Sequence, residues 1–275
     1  MPERENRNIW VRATDSLTLA FQRTFRDRRP AILNRVLPLR PGLFLLVVGF
    51  TLFLIGIIFY FDGPFIDLKR ERLLGTDRII GSWYIRRFFF WFTEIGESAW
   101  ILLITALIGL GVSTSKWRAL GRKQLRRRVI IYSNLNFIFF TVLISGVLSS
   151  ILKGVIGRAR PKLKSELGST HFDPLNFHYD FASLPSGHAT TFGALCMAIV
   201  LLFPRLKWWV LVLALLGGVS RVVVDAHYPS DVIAGLAIGA GVVVLSARWL
   251  AQRNVMFKFH GRVVPKRVYP GRMSA

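Results

Sequence analysis

Apolar residues fall in long blocks along this chain, and short polar stretches separate the blocks. A helix needs about 20 mostly apolar residues to cross the hydrocarbon core of a bilayer. Six blocks approach that length. Leu43 to Phe61 ends at Asp62. A second lies within Phe88 to Val112 and is interrupted by Glu94 and Glu97. Val129 to Leu152 ends on Lys153. His188 to Phe203 is closed by Pro204, and Trp208 to Val224 and Val232 to Leu250 complete the set. Two blocks are short, so their ends are expected to run into flanking polar residues. The pattern predicts an all-α protein, a six-span transmembrane helical bundle, with no internal repeat and no separate soluble domain. It divides the chain into a basic N-terminal segment (1–40), a membrane domain (41–250) and a basic tail (251–275).

Composition agrees with that reading. Mean hydropathy is +0.44, as for an integral membrane protein. The formal net charge of +22 would suit nucleic acid. The basic residues lie between apolar blocks rather than along a recognition helix, however, so no nucleic-acid partner is expected. The single cysteine, Cys196, sits inside an apolar block. It permits no intramolecular disulfide and serves packing. The first 40 residues are polar and Arg-rich, so no signal peptide is expected there.

The charge sets an orientation. Short loops rich in Lys and Arg stay in the cytoplasm. Nine such residues precede Pro41, seven lie in Ser113 to Arg128 without any acid, two in Pro204 to Lys207, and six follow Leu250. All four segments fall on one side of a six-span chain, which is then the cytoplasmic side. Anionic headgroups attract the same residues, so membrane lipids are expected partners. Leu17, Phe21 and Phe25 recur at helical spacing among arginines and predict an interfacial helix before the first span.

With that topology, three polar patches arrive at the opposite, outer face. Lys153 ends the third span, with Arg160-Pro161 just beyond it. Pro185-Ser186-Gly187-His188 opens the fourth. The fourth span descends and the fifth returns, so Arg221 regains the depth of His188 although 33 positions separate them. His227 follows in a short connection, and Asp231 opens the sixth span.

Each residue type has a job in phosphate chemistry. Lys153, Arg160 and Arg221 can neutralise an anion whose charge spreads in the transition state. Ser186 can cap a helix, Gly187 lets backbone approach a ligand, and a helix N-terminus favours an anion. An imidazole nitrogen of His227 can attack phosphorus, with Asp231 holding the proton on the other nitrogen. His188 can protonate a leaving oxygen. Singly, a Lys or Arg at a span end is a snorkelling anchor, and Ser-Gly is a helix cap. Those ordinary roles do not account for two histidines, three cations and an acid on one face. Arg158 adds positive field, Asp225 is placed to pair with Arg221, and Glu94 and Glu97 are expected at the outer water interface. The loop from Lys162 to Leu184 holds His171, Phe172, Phe177, His178, Tyr179 and Phe181, suited to an interfacial aromatic belt or a headgroup contact. Gly235 and Gly239 form a small surface for close helix approach, as do Gly217 and Gly218.

These residues resemble the signature of the type 2 phosphatidic acid phosphatase superfamily. Lys153, six residues, then Arg160-Pro161 match its first motif, and Pro185-Ser186-Gly187-His188 match the second. Ser220-Arg221, five residues, His227, three residues and Asp231 match the third. The resemblance implies a helical membrane phosphatase that uses no metal and no cofactor. It implies His227 as the nucleophile that becomes phosphohistidine, Asp231 as its orienting acid, and His188 as general acid and then base. Lys153, Arg160, Ser186, Gly187 and Arg221 would bind the phosphate. The implied substrate is a lipid phosphate or diphosphate; the charge-derived topology places the site at the outer face, as expected of a bacterial-type inner membrane. A lipid-to-lipid phosphotransferase shares the same chemistry. A vanadium haloperoxidase shares the signature but is typically soluble, and a non-catalytic lipid-binding protein would not need both histidines.

Overall fold

The computed structural model describes residues 41–71, 80–94, 96–114, 120–259 and 264–268. The basic N-terminal segment, with the interfacial helix expected at Leu17, Phe21 and Phe25, lies outside them. So do parts of the basic loop and tail.

The described residues are helical almost throughout. Helix α1 (Pro41–Gly56) runs through a π-helical turn (Ile57–Phe61) into α2 (Asp62–Lys69). Helices α3 (Ile80–Glu94), α4 (Ser98–Ser113) and the long α5 (Arg122–Ile156) follow. A short α6 (Lys164–Leu167) interrupts the next loop. Helices α7 (Gly187–Leu202), α8 (Lys207–Val223) and α9 (Pro229–Gln252) close the helical part. Among the described residues, five stretches are long and apolar enough to cross a membrane: Leu45–Lys69, Arg86–Ser113, Lys123–Ile156, Pro204–Val223 and Pro229–Gln252. Helix α7 is a sixth, shorter apolar helix.

The second apolar block is broken where its acids lie. Helix α3 ends at Glu94, and a turn closed by Gly96 N–H donating to Thr93 O (2.9 Å) leads into α4. Gly96 is required there, because a Cβ would stand 2.2 Å from the ring of Phe192.

The chain divides into two compact units. Among the described residues, one is drawn from Leu39–Leu102 and Phe140–Val243 and carries all three polar patches. Its centre is α7, where Ala189, Thr190, Phe192, Ala194, Ala198 and Leu202 are buried. Helix α7 packs on α8, and α8 packs on α3. Helix α7 meets α9 backbone to backbone. A Cβ on Gly239 would lie 2.1 Å from Thr190 O, and one on Gly193 would lie 2.3 Å from Leu236 O. Gly235 faces Ser186 O in the same way, at 2.6 Å. Small residues let two helices approach this closely where lipid supplies no hydrophobic drive. Gly217 and Gly218 on α8 admit Phe192 and Val232 in turn.

The other unit draws on Leu103–Phe139 and Val244–Ala275. Its tail, given no structure by the sequence pattern, folds back as an antiparallel hairpin of β1 (Phe257–Lys258) and β2 (Lys266–Arg267). Phe257 is buried against Phe137, with ring centroids 5.0 Å apart. Arg267 donates to Ser133 Oγ (2.9 Å) and Asn134 Oδ1 (2.8 Å).

The α7–α9 contact yields a test. Gly239→Ala drives a methyl group into the Thr190 carbonyl, and overpacking of this kind costs about 1–3 kcal/mol. Gly241→Ala, on the same helix with no atom within 4 Å of the added carbon, is expected to be neutral or mildly stabilising. Thermal unfolding of both variants in detergent measures the difference.

Candidate active site

Helix α5 stops at Gly157, whose φ of +62° is the left-handed conformation that glycine adopts most easily. Its N–H donates to Lys153 O at 2.9 Å. A Cβ at this position would lie 1.6 Å from Asp173 O. The stop leaves Lys153 on the last helical turn and sends 158–160 out as an extended segment. The 171–183 loop holds that segment by main-chain bonds. Ala159 N–H donates to His171 O (3.1 Å), Arg160 N–H to Asp180 O (2.9 Å) and Ser183 N–H to Arg158 O (3.1 Å). The loop is thus a scaffold for the first motif. It also exposes Leu175, Phe177 and Tyr179, and Phe177 lies against Gly154, beside Lys153.

Arg160 is buried and held by three carbonyls. Nε donates to Tyr179 O (3.0 Å), Nη1 to Ala226 O (3.3 Å) and Nη2 to Ala182 O (3.4 Å). Its guanidinium stacks 3.9 Å from the centre of the Tyr179 ring. Burial lowers its pKa, opposed by the nearby Tyr179 and Asp231.

Ser186 caps α7 by accepting from Ala189 N–H at 3.4 Å. Gly187 opens the helix, and a Cβ there would stand 3.0 Å from Lys153 Nζ. The second motif therefore sits directly against the first. His188, half-buried on the first turn, is within electrostatic reach of Arg221, His227, Lys153 and Arg160.

Arg221 lies on the last turn of α8 and donates from Nη1 to Thr93 Oγ1 at 2.8 Å. The broken second span thereby fixes the direction of the Arg221 guanidinium. Arg221 Nε is buried without an acceptor among the described residues, a donor available to an anion. Exposed Glu94 is within electrostatic reach of the same guanidinium.

The expected pairing of Asp225 with Arg221 is corrected. Helix α8 ends at Val223, and Asp225 has φ +62°, so the helical spacing that would join them does not persist. Asp225 instead pairs with Lys69 (2.9 Å) and Arg70 (3.3 Å) of the first span's extension. Burial would raise its pKa, but these two cations lower it. Lys69 also donates to Val222 O at 2.7 Å, so the segment carrying Arg221 and His227 is clamped to that extension.

His227 is 2% exposed. Its Nδ1 lies 2.9 Å from Ser183 O. A carbonyl only accepts, so Nδ1 carries the hydrogen and Nε2 bears the free lone pair. Asp231 was expected to take this hydrogen bond. It faces the same nitrogen at 3.7 Å, ion-pair range rather than hydrogen-bond range. Burial pulls the imidazole pKa down to about 4, against the opposing pull of Asp231. His227 is therefore neutral near pH 7.

Both oxygens of Asp231 are occupied. Oδ2 accepts from Ser183 Oγ (2.6 Å) and Tyr228 N–H (3.0 Å), and Oδ1 accepts from Arg158 Nη1 (2.7 Å). Arg158 is fully buried. Its Nη2 reaches Asp62 Oδ2 at 2.9 Å and Ser169 O at 2.9 Å, and Nη1 also donates to Ser230 Oγ at 2.7 Å. Asp62 in turn accepts from Ser230 N–H (3.1 Å) and Ser230 Oγ. Burial alone would lower the pKa of Arg158, but Asp231 and Asp62 raise it.

The structure thus gathers Lys153, Arg160, Ser186, Gly187, His188, Arg221, His227 and Asp231 into one unit and one neighbourhood. Asp62, Ser183 and Thr93 also belong to this neighbourhood, and Arg158 is a hydrogen-bonded member of it rather than only a source of positive field. One signal was legible: an acid closing an apolar span is costly unless paired, and Asp62 is such an acid. No group of three metal-ligating side chains occurs among the described residues.

The model of the PAP2 superfamily matches residues 134–254. A lipid A 1-phosphatase of Rhizobium johnstonii is 41% identical over 167 residues, covering 60% of this chain and 68% of the relative. The chain belongs to the PAP2 superfamily. A second lipid A 1-phosphatase, from Rhizobium etli, is 39% identical over 65% of this chain and 78% of its own length. The undecaprenyl-diphosphatase BcrC of Bacillus subtilis is 34% identical over a shorter region, 31% of this chain and 49% of the relative. The apolar helices support an integral membrane protein. The matched residues include all three motifs.

The His227 environment gives a pH expectation. Its folded pKa of about 4 lies below the ordinary histidine value of about 6.5. The unfolded chain therefore takes up a proton first as pH falls. Stability is full above about pH 6.5, declines toward about pH 4 and then levels, by up to about 1.4 kcal/mol per pH unit from this group. Denaturation midpoints in detergent from pH 7 to pH 4 should fall less steeply for His227→Gln than for the native chain.

Proposed function

We propose that this protein is an integral membrane lipid phosphatase that removes phosphate from a lipid phosphate or diphosphate through a phosphohistidine on His227. The observation that carries this reading is the state of that imidazole. It is buried and neutral, and its Nδ1–H is committed to Ser183 O. That leaves the Nε2 lone pair for attack, within electrostatic reach of Arg160, Arg221 and His188.

In the first step Nε2 forms a bond to phosphorus as the bond to the lipid oxygen breaks. Protonated His188 gives its proton to that oxygen. Lys153, Arg160, Arg221 and the Ser186-Gly187 helix start hold the phosphoryl oxygens and take up the charge that develops on them. Asp231 stabilises the cationic imidazole. In the second step water attacks phosphorus and passes its proton to His188. The P–N bond then breaks, and inorganic phosphate leaves with His227 neutral again. The three cations fill the place of a Lewis acid, so hydrolysis is proposed to proceed without a divalent metal. The 1-phosphate of lipid A is the first substrate to test, because two well-covered relatives are named for it.

The site is proposed to face outward, at the periplasmic surface of a bacterial inner membrane, because the acid-free basic segments keep the other ends of the spans in the cytoplasm.

Three experiments test these statements. Purified protein in detergent with EDTA should release phosphate from at least one of lipid A 1-phosphate, undecaprenyl diphosphate and phosphatidic acid. His188→Ala should lose about 10²–10⁴-fold in turnover on a lipid ester. With an aryl phosphate, whose leaving group needs no proton, it should still give a burst and a trapped phosphoenzyme. His227→Ala should give neither. A phosphoenzyme in His227→Ala would refute the assignment of the nucleophile. For topology, a cysteine replacing exposed Ser165 in a Cys196→Ser background should react with an impermeant maleimide in intact spheroplasts. Labelling only after lysis would reverse the orientation.

A further inference from the structure

The mechanism uses only Asp231 of one buried cluster. Asp62, Arg158, Ser230 and Asp231 are all fully buried and joined by direct hydrogen bonds. Asp62 comes from the first span, 165 positions before His227. The cluster holds two carboxylates and one guanidinium. A guanidinium offers a planar fork of donors, and this one is divided. Nη1 is bound to Asp231 Oδ1 and Nη2 to Asp62 Oδ2. Tyr228 lies against it with the ring centre 4.2 Å from Cζ.

A cation shared between two anions neutralises neither. A private Arg158–Asp231 pair would present His227 with nearly no net charge. The shared arrangement leaves one negative charge in the low-dielectric interior, with Asp231 as the member that faces the His227 ring at 3.7 Å. That charge is of little use while His227 is neutral. It becomes favourable when Nε2 is bonded to phosphorus and the ring, still protonated at Nδ1, turns cationic.

We propose that Asp62 is a positioning residue for the reaction: by engaging one arm of Arg158, it preserves the negative charge of Asp231 for the cationic, phosphorylated state of His227. Asp62 touches neither substrate nor reacting atoms. Its effect passes through Arg158 and through the field of the cluster, and it acts on the covalent state rather than on phosphate binding. The inference rests on the phosphohistidine reading above.

The test separates covalent from ground-state binding. Orthovanadate bonded to Nε2 makes the ring cationic, whereas inorganic phosphate binds through Lys153, Arg160 and Arg221 without a bond to nitrogen. The full chain in detergent micelles is titrated with each, vanadate by ⁵¹V NMR and phosphate by calorimetry. For Asp62→Asn, the ratio of vanadate to phosphate affinity should fall about tenfold, the scale of one charge lost at a short distance inside a protein. Phosphate affinity should hold or tighten slightly, because a negative charge has been removed. Loss of both affinities together would mean that Asp62 only maintains the fold, and an unchanged ratio would mean that its charge is not felt at His227. Either result overturns the inference while native hydrolysis stands. If native protein neither binds vanadate nor releases lipid phosphate, the phosphatase reading itself falls, and the inference with it. Ser230→Ala is the milder companion should Asp62→Asn fail to fold. It removes the hydroxyl that donates to Asp62 and accepts from Arg158, and the same ratio should fall about threefold. An unchanged ratio in a folded Ser230→Ala would also overturn the inference.

Discussion

The guanidinium of Arg158 is the contact on which this arrangement depends. It is fully buried and joins Asp62 of the first span to Asp231 of the last. Removing one member of a buried charged group strands the others without solvent, which costs far more than the pair gains when intact. The first span, the first-motif loop and the start of α9 are therefore coupled. Asp231 in turn orders Ser183 and the Tyr228 main chain, and the Ser183 carbonyl sets the tautomer of His227.

Around this anionic cluster the protein assembles cations that repel one another. Lys153, Arg160 and Arg221 are close enough to feel each other's charge. Lys153 sits on a helix end, three carbonyls and a stacked tyrosine hold Arg160, and a threonine hydroxyl holds Arg221. Neutral anchors fix the two guanidinium groups without cancelling their charge, which leaves that charge for an anion. The proposed chemistry needs both halves: positive groups for the phosphoryl oxygens, and negative charge behind the imidazole that becomes cationic.

Much of this was legible in the chain. Apolar blocks marked the spans, because backbone in a bilayer must satisfy its own hydrogen bonds and helices do so locally. Gly235 and Gly239 announced a close helix contact, and the structure places carbonyls of α7 against both. The polar patches stood out because charge inside apolar sequence is expensive to keep. Other features were hidden. Asp62 read as the end of a span, since nothing local indicates that its partner lies 96 residues on. Asp225 read as a partner for Arg221 on helical spacing, but the helix stops first. Ser183 contributes a carbonyl to His227, and every residue has a carbonyl, so its side-chain identity said nothing about that contact.

The sequence by itself determined the helical membrane class, the family and the inventory of cations, histidines and acids in the three motifs. Those follow from local rules: apolar length, residue chemistry and the spacing within each motif. Only the tertiary structure decided which acid meets which base. Asp225 turned to Lys69 and Arg70, Arg158 was divided between two carboxylates, and His227 donates its Nδ1 hydrogen to the Ser183 carbonyl. Such pairings depend on angstrom-scale distances between segments far apart in the chain, and Coulomb and hydrogen-bond energies change steeply over those distances.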